Sequence, residues 1–193
     1  MPDTHEVIRD PLWDNIRLDR PALLALDTAA MQRLRYVRQV GHAFLVYPGA
    51  THTRFEHGLG AYHLTRRALA SLEERGELAR VPAEDCLAVR LAALLHDIGH
   101  YPFSHALEEA GFPSHETLGV AKLCQGELGE RLEEIGGAGL AGTIGSLIKG
   151  ESPSALTPFS STPTSSPPPA VSTSVSVARR RSTSTVPYGT PHM

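Results

Sequence analysis

The run Leu91-Ala-Ala-Leu-Leu-His-Asp-Ile-Gly-His-Tyr-Pro-Phe-Ser-His105 sets His96, Asp97, His100 and His105 directly behind an apolar stretch. His96 and Asp97 fall at the end of what should be a buried helix. His100 follows one turn after His96, and Pro102 forbids that helix from going further. Burying an imidazole beside a carboxylate is costly unless something pairs with them, and a divalent metal ion is the natural partner. Neutral imidazole and carboxylate together suit a first-row transition metal. A second histidine-bearing segment, Arg54-Phe-Glu-His57-Gly-Leu-Gly60, lies upstream. A lone inward histidine is more often a hydrogen-bonded core residue than a ligand, so His57 gains meaning only beside His96 and Asp97.

The elements that must carry these residues read as helices. One is expected from about Thr53 to Arg75, with His57, Ala61, Leu64, Ala68 and Leu72 along one stripe that turns His57 towards the core. Gly76 stops it. Pro82, Glu84 and Asp85 make a favourable first turn for the next helix. Its apolar face, Leu87, Leu91, Leu94, Leu95 and Ile98, leads to His96 and Asp97. Ser104 and Ser114 are each placed to cap a short helix, the second carrying His115 and Glu116 at its start. Upstream, Pro21 opens a helix and Asp27 caps another through Met31, Leu34 and Val37. Ala43–Tyr47 reads as a short strand or extended loop closed by Pro48-Gly49.

Strand signals are too few for a sheet-based fold, so the expected class is all-α. Residues 1–20 read as an irregular lead-in that docks through Trp13 and Ile16. Residues 21–150 read as the helical domain and 151–193 as a Ser/Thr/Pro-rich tail. The tail cannot bury enough apolar surface to offset the entropy of ordering, and is expected to be disordered. Its one charge cluster is Arg179-Arg-Arg181.

Composition bounds the partners. The 193 residues are 41% hydrophobic and 20% charged, as in a soluble globular domain. A net charge of -3 excludes a global basic field for nucleic acid or an anionic membrane surface. A polyanionic ligand would have to be held by local arginines or by metal. Cys86 and Cys124 form no disulfide framework and read as buried free thiols. The polar N-terminus and the lack of any run of membrane-spanning length point to the cytoplasm.

The segments Gly49-Ala-Thr-His-Thr-Arg-Phe-Glu-His57-Gly-Leu-Gly60 and Leu94-Leu-His96-Asp97-Ile-Gly-His-Tyr-Pro-Phe-Ser-His105 closely resemble the HD-domain phosphohydrolases. The resemblance is to their deoxynucleoside triphosphate triphosphohydrolase branch, and Arg38-Gln39-Val40-Gly41 and Pro113-Ser-His115-Glu116 fit it too. It covers roughly residues 7 to 150 and implies an HD-type helical bundle. By resemblance, His57, His96 and Asp97 match three of the family's four metal ligands. The ion would be Mn, Fe, Zn, Ni or Mg. His115 matches a general acid for the leaving 5′ oxygen, and His100 and His105 match histidines lining the phosphate path. Arg54 matches an arginine near the phosphates, and Gln39 and Val40 match positions reading the sugar. The implied reaction is attack of water or hydroxide on the α-phosphorus, releasing nucleoside and tripolyphosphate. The family also implies a homo-oligomer.

The pattern departs from the family in one respect. The fourth ligand comes from a later aspartate, in a segment resembling Asp-x-Asp-Arg-x-Asp-Tyr-Leu, and this chain has no aspartate after Asp97. A shifted reading frame or a degenerate remnant would account for the abrupt change to the Ser/Thr/Pro tail. Glu127, Glu130, Glu133, Glu134 and Glu151 are available substitutes that spacing does not rank. Three protein ligands with open positions still suffice for a catalytic ion, at lower affinity and turnover. Two other readings stay open: an HD phosphatase or phosphodiesterase on another phosphate ester, and a catalytically dead nucleotide- or metal-binding module.

Overall fold

In the computed structural model residues 6–103 and 105–151 are described, and all of them lie in one unit of the chain. The cap at Ser104 and the Ser/Thr/Pro stretch from Ser152 onwards lie outside the described residues. The lead-in is not irregular. It is an antiparallel hairpin of β1 (Glu6–Asp10) and β2 (Asp14–Leu18), with Ile8 opposite Ile16. Asp10 sets the turn, its Oδ1 accepting from the backbone N–H of Leu12 at 2.8 Å and of Trp13 at 2.9 Å. Asp14 takes the left-handed conformation at φ 57°. Ile16 and Leu18 alternate inward with full burial while Asn15 and Arg17 face out, the period-two pattern of a strand with one wet face.

The rest is helical. Asp19 caps α1 (Arg20–Leu26) by accepting from the N–H of Ala22, with Pro21 in the first turn. Asp27 closes α1 instead of opening the next helix, because Thr28 takes that role for α2 (Ala29–Gln32). The chain then tightens into a 3₁₀ turn at Arg33–Tyr36. Ala43–Leu45 is a second 3₁₀ turn, not a strand. A reciprocal capping box of Thr53 and Glu56 starts α3 (Arg54–Glu74). After α4 (Ala83–Leu95) come the short α5 (Ala106–Glu109) and α6 (His115–Leu123), the latter capped by Ser114. The domain continues through α7 (Gly126–Gly136) and α8 (Leu140–Ile148).

Helix α3 packs along α4, α4 against α8, α6 against α8, and α7 against α1. The α3–α4 approach depends on Gly58, where a Cβ would stand 2.8 Å from the carbonyl oxygen of Leu94. The buried face of α3 is Phe55, Gly58, Leu59 and Tyr62, one phase away from the expected stripe. Leu64 is 47% exposed and the His57 side chain 42% exposed. Apolar residues surround this helix on several sides, so its local pattern supports two stripes, and packing on Leu91, Leu94 and Leu95 selects one.

Cys124 is exposed and Cys86 half-buried, so neither is the buried thiol expected. Tyr36, Leu45, Val46, Tyr47 and Phe103 are exposed apolar side chains. Among the described residues no helix is long and apolar enough to cross a membrane.

Candidate metal centre

Helix α4 ends at Leu95 with His96 as its C-cap, and the chain turns at once through backbone bonds from Ile98 N–H to Leu95 O and from His100 N–H to Asp97 O, each 3.0 Å. Arg33 holds this turn from outside, its Nη2 donating to the carbonyls of Ile98 at 3.0 Å and His100 at 2.8 Å. Gly99 is required here: a Cβ would overlap the carbonyl oxygen of His115 and the backbone nitrogen of Gly119. That close backbone contact draws the start of α6, and with it His115, up to the turn.

His57 from α3 and the His96–Asp97 pair from the end of α4 converge, with donor atoms within 4.8 Å of one another. His57 Nε2 stands 4.0 Å from Asp97 Oδ2, and His96 Nε2 stands 3.4 Å from Asp97 Oδ1. His96 Nδ1 lies 2.9 Å from the carbonyl oxygen of Ala93. A carbonyl only accepts, so Nδ1 carries the proton and the Nε2 lone pair faces the site. The donor set therefore fits a divalent ion: two imidazoles, one with its tautomer locked, and one carboxylate.

Asp97 is 4% exposed. Burial pushes its carboxyl up, but the hydrogen bond from His100, the proximity of His96 and the Arg54 guanidinium together pull it well below the usual carboxylate range. Burial lowers His57, opposed by Asp97 and assisted by His96 and Arg54, so its imidazole is held neutral and ready to ligate.

Arg54, expected among the phosphates, is 2% exposed and placed behind Asp97. Its Nη1 donates to Asp97 Oδ2 at 2.7 Å and its Nη2 to the carbonyl of Gln39 at 3.3 Å. Gln39 is thereby tied next to the site, its own N–H bonded to the carbonyl of His52, and Val40 beside it is 41% exposed. A groove of about 420 Å³ opens along His57, between Leu12 and Trp13 of the hairpin turn and Gly60 and Leu64 of α3.

His100, His105 and His115 form a second group with Glu108, again with donor atoms within 4.8 Å. His100 is buried, with Nε2 3.3 Å from Asp97 Oδ1, and its ring stacks on that of His115 with centroids 3.8 Å apart and planes 14° apart. His115 Nδ1 is 2.7 Å from Glu108 Oε1, and His105 Nδ1 is 3.5 Å from the same oxygen. Burial raises the Glu108 carboxyl, but the bonds from His115 and the neighbouring His105 bring it below its ordinary value. Sequence reasoning missed Glu108 and Arg33. Spacing from His105 was the available signal for Glu108, since residues three apart share a helix face. Arg33 acts across 65 residues and had no local signal.

A helical domain that brings a histidine of one helix to a His–Asp pair ending the next defines a class, and the HD domain family matches residues 54–156, more than half of the chain. The chain belongs to that family. Over 111 residues it is 40% identical to the deoxynucleoside triphosphate triphosphohydrolase SAMHD1 of Bos taurus, covering 58% of this chain and 19% of that protein. It is 44% identical over 118 residues to an uncharacterised protein of Methanocaldococcus jannaschii, covering 61% of this chain and 24% of the relative. In fold it resembles a phosphohydrolase of Bacteroides thetaiotaomicron, with TM-score 0.65 and 35% identity over 78% of this chain and 36% of that one. The chain thus spans about a fifth to a quarter of the length of these two curated relatives.

Proposed function

We propose that this chain is a metal-dependent phosphohydrolase acting on nucleotides, with a deoxynucleoside triphosphate as substrate and nucleoside and tripolyphosphate as products. The observation that carries the reading is the meeting of His57, His96 and Asp97 at a partly open site, with His100, His105 and His115 alongside. The name and likeness of the triphosphohydrolase relative support the choice of substrate. A divalent ion held by His57, His96 and Asp97 would lower the pKa of a water and neutralise charge gathering on the phosphoryl oxygens.

The chain's own groups do the rest. Arg54 keeps Asp97 ionised and fixes the turn of its carboxylate, with Oδ2 towards His57 and Oδ1 towards His96. His105 lines the path of the phosphates, whereas His100, matched to that path by the sequence, is buried behind the His115 ring with its Nε2 on Asp97. Attack of water on the α-phosphorus breaks its bond to the 5′ oxygen, and that oxygen takes a proton from His115. Glu108 is a positioning residue, holding the His115 ring by Nδ1 so that Nε2 is the nitrogen left to donate. Gln39 and Val40 border the sugar. We place the enzyme in the cytoplasm and expect self-association, which the exposed Leu45, Val46 and Tyr47 support.

The test is release of tripolyphosphate from a deoxynucleoside triphosphate mixture with Mn²⁺, separated by chromatography. Release by the wild type and its loss in His115→Ala support the proposal. No release from any phosphate ester would favour a binding module. Release from another ester alone would keep the chemistry and change the substrate.

A further inference from the structure

We propose that His105, Glu108 and His115 form a second transition-metal site, separate from the one at His57, His96 and Asp97. Two imidazoles converge on one carboxylate oxygen: Glu108 Oε1 is 2.7 Å from His115 Nδ1 and 3.5 Å from His105 Nδ1. Orienting His115 requires only the first of these contacts. The convergence of His105 on the same oxygen turns a hydrogen-bonded pair into a three-donor set, two imidazoles and one carboxylate, of the kind that holds zinc with a position left open.

Ring geometry separates ligands from bystanders. A coordinated ion lies in the plane of each imidazole that binds it. The His105 and His115 rings are 5.2 Å apart with planes crossed at 69°, so one ion is able to lie in both planes. His100 is parallel to His115 within 14° at 3.8 Å, so those two cannot share an ion. His100 instead backs the His115 ring and points its Nε2 at Asp97. Charge is also suited: among the described residues the ion-pair partners of Glu108 are histidines, with no lysine or arginine occupying the place of a cation. The His105 side chain is 55% exposed, which gives an ion a way in and gives the ring room to close on it.

Occupation of this site has a consequence that rests on the function proposed above. An ion on His115 Nδ1 replaces the proton shared with Glu108, so the ring no longer exists as the imidazolium that donates to the 5′ oxygen. The second site is then inhibitory, and excess metal silences the enzyme that the first ion activates.

The experiment is calorimetric titration of the full-length, chelator-stripped chain with Zn²⁺, repeated with Co²⁺ while following its visible absorption. Two classes of site are expected. His105→Ala and Glu108→Gln should each weaken the second class on the order of tenfold or more and spare the first. His96→Ala should do the reverse. A single class in the wild type, or a second class unchanged in both variants, overturns the proposal. His105 is exposed and its removal leaves the core intact, so that variant decides the matter if Glu108→Gln fails to fold. Two classes in a chain without turnover would sustain the site while sinking the proposed function.

Discussion

Arg54 Nη1 lies 2.7 Å from Asp97 Oδ2, and both side chains are almost wholly shielded from water. The pair joins the first turn of α3 to the residue after the C-cap of α4, so the two segments that bear the candidate ligands are also linked by charge. Removing one partner strands the other as a buried, uncompensated ion. Arg54→Ala should therefore cost about 3–5 kcal/mol of stability, read from urea unfolding. A loss below about 1 kcal/mol, the scale of an exposed pair, would contradict this account.

Acid should expose the same pair. Asp97 is held well below its unfolded value of about 3.9, so its contribution is present above that pH and is lost as pH falls below it towards the folded value. Urea midpoints of the metal-free protein between pH 7 and pH 3 should drop on the acid side. Asp97→Asn should start less stable and show a flatter acid limb.

Metal binding should register as stability. Because the donor atoms converge only in the folded chain, Mn²⁺ at about a hundred times its dissociation constant should add about 2.7 kcal/mol, and chelation should reverse it. With the second group also disabled, thermal melts of the Asp97→Ala, His105→Ala double variant with and without metal should coincide. A full metal-induced shift in that variant would remove Asp97 from the ligand set.

Glu108→Gln should lower turnover about tenfold to a hundredfold while leaving KM nearly unchanged, since it acts on proton donation and not on substrate binding. Glu108→Asp should restore part of the loss. A rise in KM with turnover intact would assign Glu108 to substrate contact.

Gly99→Ala should damage the fold more than its size suggests. The added methyl would meet the backbone of His115 and Gly119, which no rotamer change relieves. Overpacking of this kind costs about 1–3 kcal/mol, occasionally more. Circular dichroism melts should show the loss, with α6 displaced and activity reduced together.

What the amino-acid order alone determined is local. The adjacency of His96 and Asp97 at a helix end, the caps at Thr53 and Ser114 and the stop after α4 all depend on residues within one turn. The hairpin at Glu6–Leu18 was obscured because only Ile16 and Leu18 of its second strand are buried, a pattern two residues deep. Tertiary structure decided the rest. It set the phase of α3, which turns His57 to the open mouth of the site, and it paired Arg54 with Asp97 across 43 residues. It stacked His100 on His115 and brought Arg33 to the turn beyond Asp97. These contacts depend on how closely backbones pack, as at Gly58 and Gly99, and no periodicity along the chain encodes that distance.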